Sequence, residues 1–295
     1  MNSLLLSLIV WAAPAQAAAP HVVTDIAPVH SLVSQVLGDV GSADVLISGN
    51  ATPHDFSLRP SLAKALAKAD IIFRVGSELT PWLDGPLKKL AANAQAISLL
   101  KADSVTRLPA REDAQFAAHQ HEGADDHTTD PHAWLDPNNA LLWLDVIALT
   151  LAQFDQQHAK VYQQNAMIAK AALIATHEQL KLQLEPLAGK PFLVYHDSFQ
   201  YFEHHFKLKA MGSIAASDAR RPGPARVERV RRLVKNKGIR CVMGEPQFNA
   251  SLVHSVAPMA SVVTVDVLGA KLTPGAQLYN ELLIEVGDAL ERCLQ

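Results

Sequence analysis

Pro137-Asn138-Asn139-Ala140-Leu141-Leu142-Trp143-Leu144-Asp145-Val146-Ile147-Ala148-Leu149-Thr150-Leu151 opens a run, Asn138 to Leu184, that contains neither proline nor glycine. Within it Leu144, Ile147, Leu151, Phe154, Val161 and Ile168 recur at three- and four-residue steps, with His158 and Asn165 filling two positions of the series. That is the period of an amphipathic helix. One continuous helix over the run would have roughly 45 residues and span about 65 to 70 Å at 1.5 Å per residue. Globular helices run roughly 8 to 20 residues, so a helix this long is expected to cross between two lobes. A break near Gln156-Gln157-His158 is the competing reading, and Pro186 marks the end.

On either side of this helix, apolar runs alternate with helical patterns. On the amino-terminal side His21 to Ile26, Ala43 to Ile47 and Ile71 to Val75 read as strands, with a helix stopped at Gly38 between the first two. A helix starting near Ser61, as N-cap, and another from Pro81 to Ala92 follow the same logic. On the carboxyl-terminal side Phe192 to Tyr195, Leu208 to Ile214, Ile239 to Met243 and Ser261 to Val267 read as strands. Helical patterns lie at Phe199 to Phe206, Val227 to Lys237 and Leu278 to Leu294. Strands alternating with helices predict an α/β fold: two lobes with largely parallel sheets. The expected division is 18–136 for the first lobe, 137–185 for the linking helix and 186–295 for the second lobe.

Residues 102 to 131 interrupt the first lobe. They carry His119, His121 and His127 among Glu122, Asp125, Asp126 and Asp130, with few apolar residues, and read as a His/acid-rich loop centred on about 112–130. Such a tract is either a weak metal collector or a solvated linker.

The first 17 residues hold an apolar core from Leu4 to Ala13 and a small-x-small site at Ala15-Gln16-Ala17. They read as a cleaved export signal, too short for a membrane span of roughly 20 residues. The segment before the core has no Lys or Arg, and a buried helix is the alternative. No Cys follows the site to carry a lipid. The net charge of −3 gives no electrostatic argument for nucleic acid or an anionic membrane. The basic cluster Arg220, Arg221, Arg226, Arg229, Arg231 and Arg232 has no aromatic residues within it and reads as a solvated face. The two cysteines, Cys241 and Cys293, favour a disulfide in an exported chain, free thiols being the alternative.

Three histidines sit in short, turn-prone settings: His54 in Pro53-His54-Asp55-Phe56-Ser57-Leu58-Arg59-Pro60, His132 in Asp130-Pro131-His132-Ala133-Trp134-Leu135-Asp136-Pro137, and His196 in Tyr195-His196-Asp197-Ser198-Phe199. His54 and His196 follow strand-like runs, as do Glu245 and Asp266. In open parallel sheets, ligands bind beyond the carboxyl ends of strands. Imidazole is the commonest metal-binding side chain, and three at one point make a nitrogen-rich site suited to zinc. A helix-starting turn is the structural alternative for His132, and a loop cap is the alternative for Asp266. Asp197 and Ser198 are expected to cap the helix that follows them. His30, His158, His177, His204, His205 and His254 lie on helical patterns and read as surface or core residues. Trp82, Trp134 and Trp143 read as packing.

These ordered motifs, together with Glu245-Pro246-Gln247-Phe248, resemble the metal-binding solute-binding proteins of bacterial ABC importers, most closely their zinc-uptake branch. The resemblance covers essentially the whole chain after the signal. It implies two lobes joined by one long rigid helix, zinc held between them by His54, His132 and His196, and a disulfide between Cys241 and Cys293. It also implies Asp266 or water as fourth ligand, with Glu245 a weaker candidate suited to hydrogen-bonding a ligand. Some zinc members use a Glu just before the first histidine; here that position is Pro53. The implied function is a periplasmic, monomeric receptor that is no enzyme and hands Zn2+ to an importer permease. Ligation requires neutral imidazole, so affinity is expected to fall as pH drops through about 6.5. A manganese receptor of the same family is the nearest alternative. A zinc hydrolase is further off: a three-histidine site can be catalytic, but the chain has no His-Glu-x-x-His. An adhesin is disfavoured by the missing lipid anchor.

Overall fold

Every residue of β1 (Val22–Ile26) is buried, as in a strand covered on both faces of a parallel sheet. It pairs in parallel with β2 (Ala43–Ile47) on one side and β3 (Ile71–Arg74) on the other; β4 (Gln95–Ser98) lies beyond β3. The resulting order, β2-β1-β3-β4, puts the apolar strands inside and the half-exposed β2 and β4 at the edges. The second sheet repeats the scheme. β5 (Phe192–Val194) and β7 (Cys241–Gly244) are buried and central, and β6 (Ala210–Ser213) and β8 (Ser261–Thr264) form the edges, in the order β6-β5-β7-β8. All six pairings are parallel. The structure is a computed structural model and describes residues 19–49, 51–111, 113–116, 129–216, 222–246 and 250–295. Residues 1–17, read above as an export signal, lie outside the described residues, as do His119, His121 and His127, Arg220 and Arg221, and Gln247 and Phe248.

In the first half the connecting helices are α1 (Ala27–Leu37), α2 (Pro60–Lys68) and α3 (Asp84–Leu90). α1 stops at Gly38, whose φ of +52° and close approach to Asn165 both exclude a side chain; a Cβ there would lie 2.6 Å from the Asn165 amide nitrogen. α2 begins at Pro60, not at Ser61. Arg59, held extended by the following proline, is the residue before its first turn, and no side-chain cap is made.

The continuous helix expected over 137–185 is two helices, α4 (Pro137–Phe154) and α5 (Ala159–Leu184), packed against each other. The break falls at the competing position. Asp155 is buried and makes the reversal: its carboxylate accepts from the Tyr162 hydroxyl at 2.8 Å and the His158 backbone N–H at 3.3 Å, and lies 2.6 Å from the His158 ring. α5, 26 residues and about 39 Å long, packs on α1 of the first half and on α9 (Leu278–Leu294) of the second. Asn165, polar in an apolar series, donates to the Val36 carbonyl at the end of α1. The second half also contains α6 (Gln200–Phe206), α7 (Pro224–Lys237) and α8 (Ala250–Val256).

One apolar core runs from β1 and α1 through α4 and α5 to α9. A smaller cluster, with Leu193, Val230, Val242 and Val253, sits under α7 and α8. Buried Ser31 of α1 ties the halves together: its hydroxyl donates to the Ala276 carbonyl and accepts the Tyr279 N–H, at 3.1 and 3.0 Å. Cys241 of β7 is disulfide-bonded to Cys293 of α9. Among the described residues, no helix is long and apolar enough to cross a membrane.

Candidate metal centre

Strand order decides which side chains meet. β5 and β7 are neighbours, with Val194 opposite Met243, so the residues just past their carboxyl ends lie side by side. These are His196 and Glu245, and the His196 Nδ1 stands 2.5 Å from a Glu245 carboxylate oxygen. Ser198 donates its hydroxyl to the same oxygen at 3.3 Å.

His132 comes from the other half, in the turn leading through a short 3-10 segment (Ala133–Leu135) into α4. One oxygen of Asp130 accepts the His132 backbone N–H at 2.9 Å and lies 2.7 Å from its Nδ1. Asp130 is itself fixed, its backbone N–H donating to the Leu108 carbonyl and its carbonyl accepting from the Tyr201 hydroxyl, both at 2.8 Å.

A carboxylate at Nδ1 holds the proton there and leaves the Nε2 lone pair outward. The two Nε2 atoms face each other at 3.4 Å. With both Nδ1 atoms protonated, two lone pairs point at one another, an arrangement that a cation between them relieves. Two nitrogens bound at 2.0 to 2.1 Å to one tetrahedral ion stand about 3.3 Å apart. Both imidazoles are buried, with 6% and 5% of their residue surface exposed, so the pair sits in a site of low dielectric.

His54 stands at the rim. It is half-buried, and its ring centroid lies 5.6 Å from that of His132, against 5.3 Å between His132 and His196. Its loop is held where the Trp82 indole donates to the Pro53 carbonyl at 2.8 Å. Asp266 follows β8, and its two oxygens accept the N–H groups of Leu268 and Lys271, at 3.0 and 3.2 Å. That is the loop-closing role, with the carboxylate still able to accept more bonds. The next residue, Val267, accepts the Trp134 indole N–H at 2.9 Å, which brings this turn against the one bearing His132. Among the described residues no three His, Cys, Asp or Glu side chains already stand in metal-holding geometry.

Asp197 and Ser198 do not cap α6, whose start makes no side-chain cap bond. Ser198 binds Glu245, and Asp197 binds Arg111 through two bonds of 2.7 and 2.5 Å. Burial pushes the Asp197 carboxyl up, against the pull of that guanidinium. Asp130 was legible only as part of a turn, although an acid two residues before a histidine in Asp-Pro-His is placed to bind it.

The two parallel-sheet halves thus bring His132 and His196 face to face, with His54 at the rim. Comparison with known proteins specifies the family. Residues 22–293 match the family model of ZnuA, the periplasmic component A of zinc-uptake complexes, and the chain belongs to that family. A high-affinity zinc uptake system protein ZnuA from Paracoccus denitrificans (strain Pd 1222) is 36% identical, the match covering 96% of this chain and 94% of the relative. A crystal structure of ZnuA superposes with a TM-score of 0.81 at 25% identity, covering 94% of this chain and all of that one. The Mn2+ complex of FpvC from Pseudomonas aeruginosa shares the fold, with a TM-score of 0.80 at 19% identity over 94% of this chain and 99% of that one.

Proposed function

We propose that this chain is a periplasmic zinc receptor that binds one Zn2+ as cargo and delivers it to the permease of an ABC-type importer. The observation that carries the reading is the His132–His196 pair. Its Nε2 atoms face at the spacing of two ligands on one tetrahedral ion, and each ring is backed by a carboxylate at Nδ1. His54 is the third ligand, reached by a small movement of its loop. Asp266 is the fourth, using lone pairs that its two backbone bonds leave free. Asp130 and Glu245 bind ligands instead of the ion, orienting the rings and fixing their tautomers.

This donor set favours zinc over manganese, which prefers oxygen ligands. It also fits carriage better than chemistry: the carboxylates nearest the imidazole pair are bound to its rings, so neither is placed as a general base. Titration of the metal-stripped, signal-free protein with Zn2+ and with Mn2+ tests the reading. The expected result is one tightly held Zn2+ per chain and far weaker Mn2+ binding. A tight preference for manganese, or no tight zinc, would refute it.

A further inference from the structure

Arg111 lies in the segment leaving the first half, yet among the described residues its side-chain partners are in the second half or in its own strap. Its guanidinium donates to both oxygens of Asp197, at 2.7 and 2.5 Å, and to both oxygens of Glu203, at 3.2 and 2.8 Å. Phe116 stacks beneath it, with the ring centroid 3.9 Å from the guanidinium carbon. Both carboxylates are buried, their side chains 8% and 4% exposed. Glu203 also accepts the Ala210 N–H at the start of β6.

Residues 115 and 116 of this strap are also held by their backbone. Phe116 donates its N–H to the Met211 carbonyl at 3.0 Å, and Gln115 forms an antiparallel bridge with Gly212. The strap thus adds to the free edge of β6. Gly212 is what permits the approach, since a Cβ there would stand 2.1 Å from the Ala114 carbonyl oxygen. Arg226 of α7 closes the contact by donating to the Asp113 carbonyl.

Asp197 immediately follows His196. We infer that Arg111 is a positioning residue for the metal site: by clamping Asp197 and Glu203 it fixes the backbone that aims His196 Nε2 at His132. A planar fork meeting two carboxylates holds orientation as well as charge, which a lysine cannot reproduce. Without it, two buried carboxylates lose their counter-charge and the His196 turn is free to reorient. The inference rests on the zinc-receptor reading.

The test compares wild type, Arg111→Gln and Arg111→Lys for zinc dissociation constant, by competition with a chelator, and for the visible bands of the Co2+-loaded protein. Each is measured well below the unfolding midpoint of that variant. The expected result is a stoichiometry of one throughout, with zinc affinity about 10 to 100-fold weaker in Arg111→Gln. Arg111→Lys should be intermediate, and the Co2+ bands altered in both variants. Unchanged affinity and Co2+ bands in a folded variant, whatever its loss of thermal stability, would overturn the inference and reduce Arg111 to a structural tie. If Arg111→Gln does not fold, Arg111→Lys and Gly212→Ala, which displaces the strap, decide by the same readouts. Failure of the wild type to bind zinc tightly would instead refute the receptor reading.

Discussion

The Nε2 atoms of His132 and His196 stand 3.4 Å apart, and the opposite nitrogen of each ring lies against a carboxylate, Asp130 for one and Glu245 for the other. The two halves thus present mirror versions of one device, a carboxylate–imidazole unit aimed at a common point. Glu245→Gln should therefore keep one zinc per chain but weaken its binding about 10 to 100-fold. Chelator competition measures this, and an unchanged dissociation constant would remove Glu245 from the site. Asp130→Asn should weaken binding in the same range and also lower stability, because Asp130 closes the turn that carries His132.

Asp266 serves both turn and metal in this account. Asp266→Asn turns an amide NH2 toward one of two backbone donors, so the metal-free protein should lose about 1 to 3 kcal/mol of stability. Zinc affinity should fall as well. A stability loss with unchanged zinc affinity would assign the fourth position to water.

The Cys241–Cys293 bond closes a loop between residues 52 positions apart. In the chain-entropy model that contributes about 4 kcal/mol. Reduction, or Cys293→Ser, should lower the unfolding midpoint markedly while leaving zinc stoichiometry at one, because the bond lies in β7 and α9, away from the imidazole pair. Thermal unfolding with and without reductant checks this.

Asp25, fully buried at the end of β1, accepts N–H bonds from Ile26 and Val75. Burial nevertheless pushes its carboxyl up to about 7 from 3.8, the backbone bonds and Arg74 opposing. The folded protein therefore holds a proton that the unfolded chain releases near pH 4. This contribution to stability is complete below pH 4 and is lost as pH rises to about 7, at up to about 1.4 kcal/mol per pH unit. Asp25→Asn should be less stable at low pH but should lack this slope. Parallel stability curves for the two proteins between pH 4 and 7 would contradict the assignment.

Much of this molecule was legible in its sequence because the signals were local. β1 reads as a strand through Val22, Val23 and Ile26, and both its faces are covered, so that Thr24 and Asp25 are buried with them; α1 stops at Gly38, which has a positive φ and the Asn165 side chain close against it. The three histidines stood out because each lies in a turn near a strand end or helix start. The helical period misled across residues 155 to 158, where there is no proline or glycine. The chain reverses there because Asp155 gathers His158 and Tyr162, a side-chain effect that periodicity does not register. Arg111 carried no local signal at all, since its partners Asp197 and Glu203 are 86 and 92 residues away.

Zinc K-edge absorption on the one-to-one complex, in wild type and in His54→Ala, tests the three-histidine site most directly. As the proposed third ligand, His54 is the residue whose loop would have to move, so it gives the sharpest test. Nitrogen and oxygen scatterers are expected at about 2.0 to 2.1 Å, with three imidazoles in the wild type and two in the variant. Two imidazoles in the wild type, unchanged in His54→Ala, would contradict the three-histidine site.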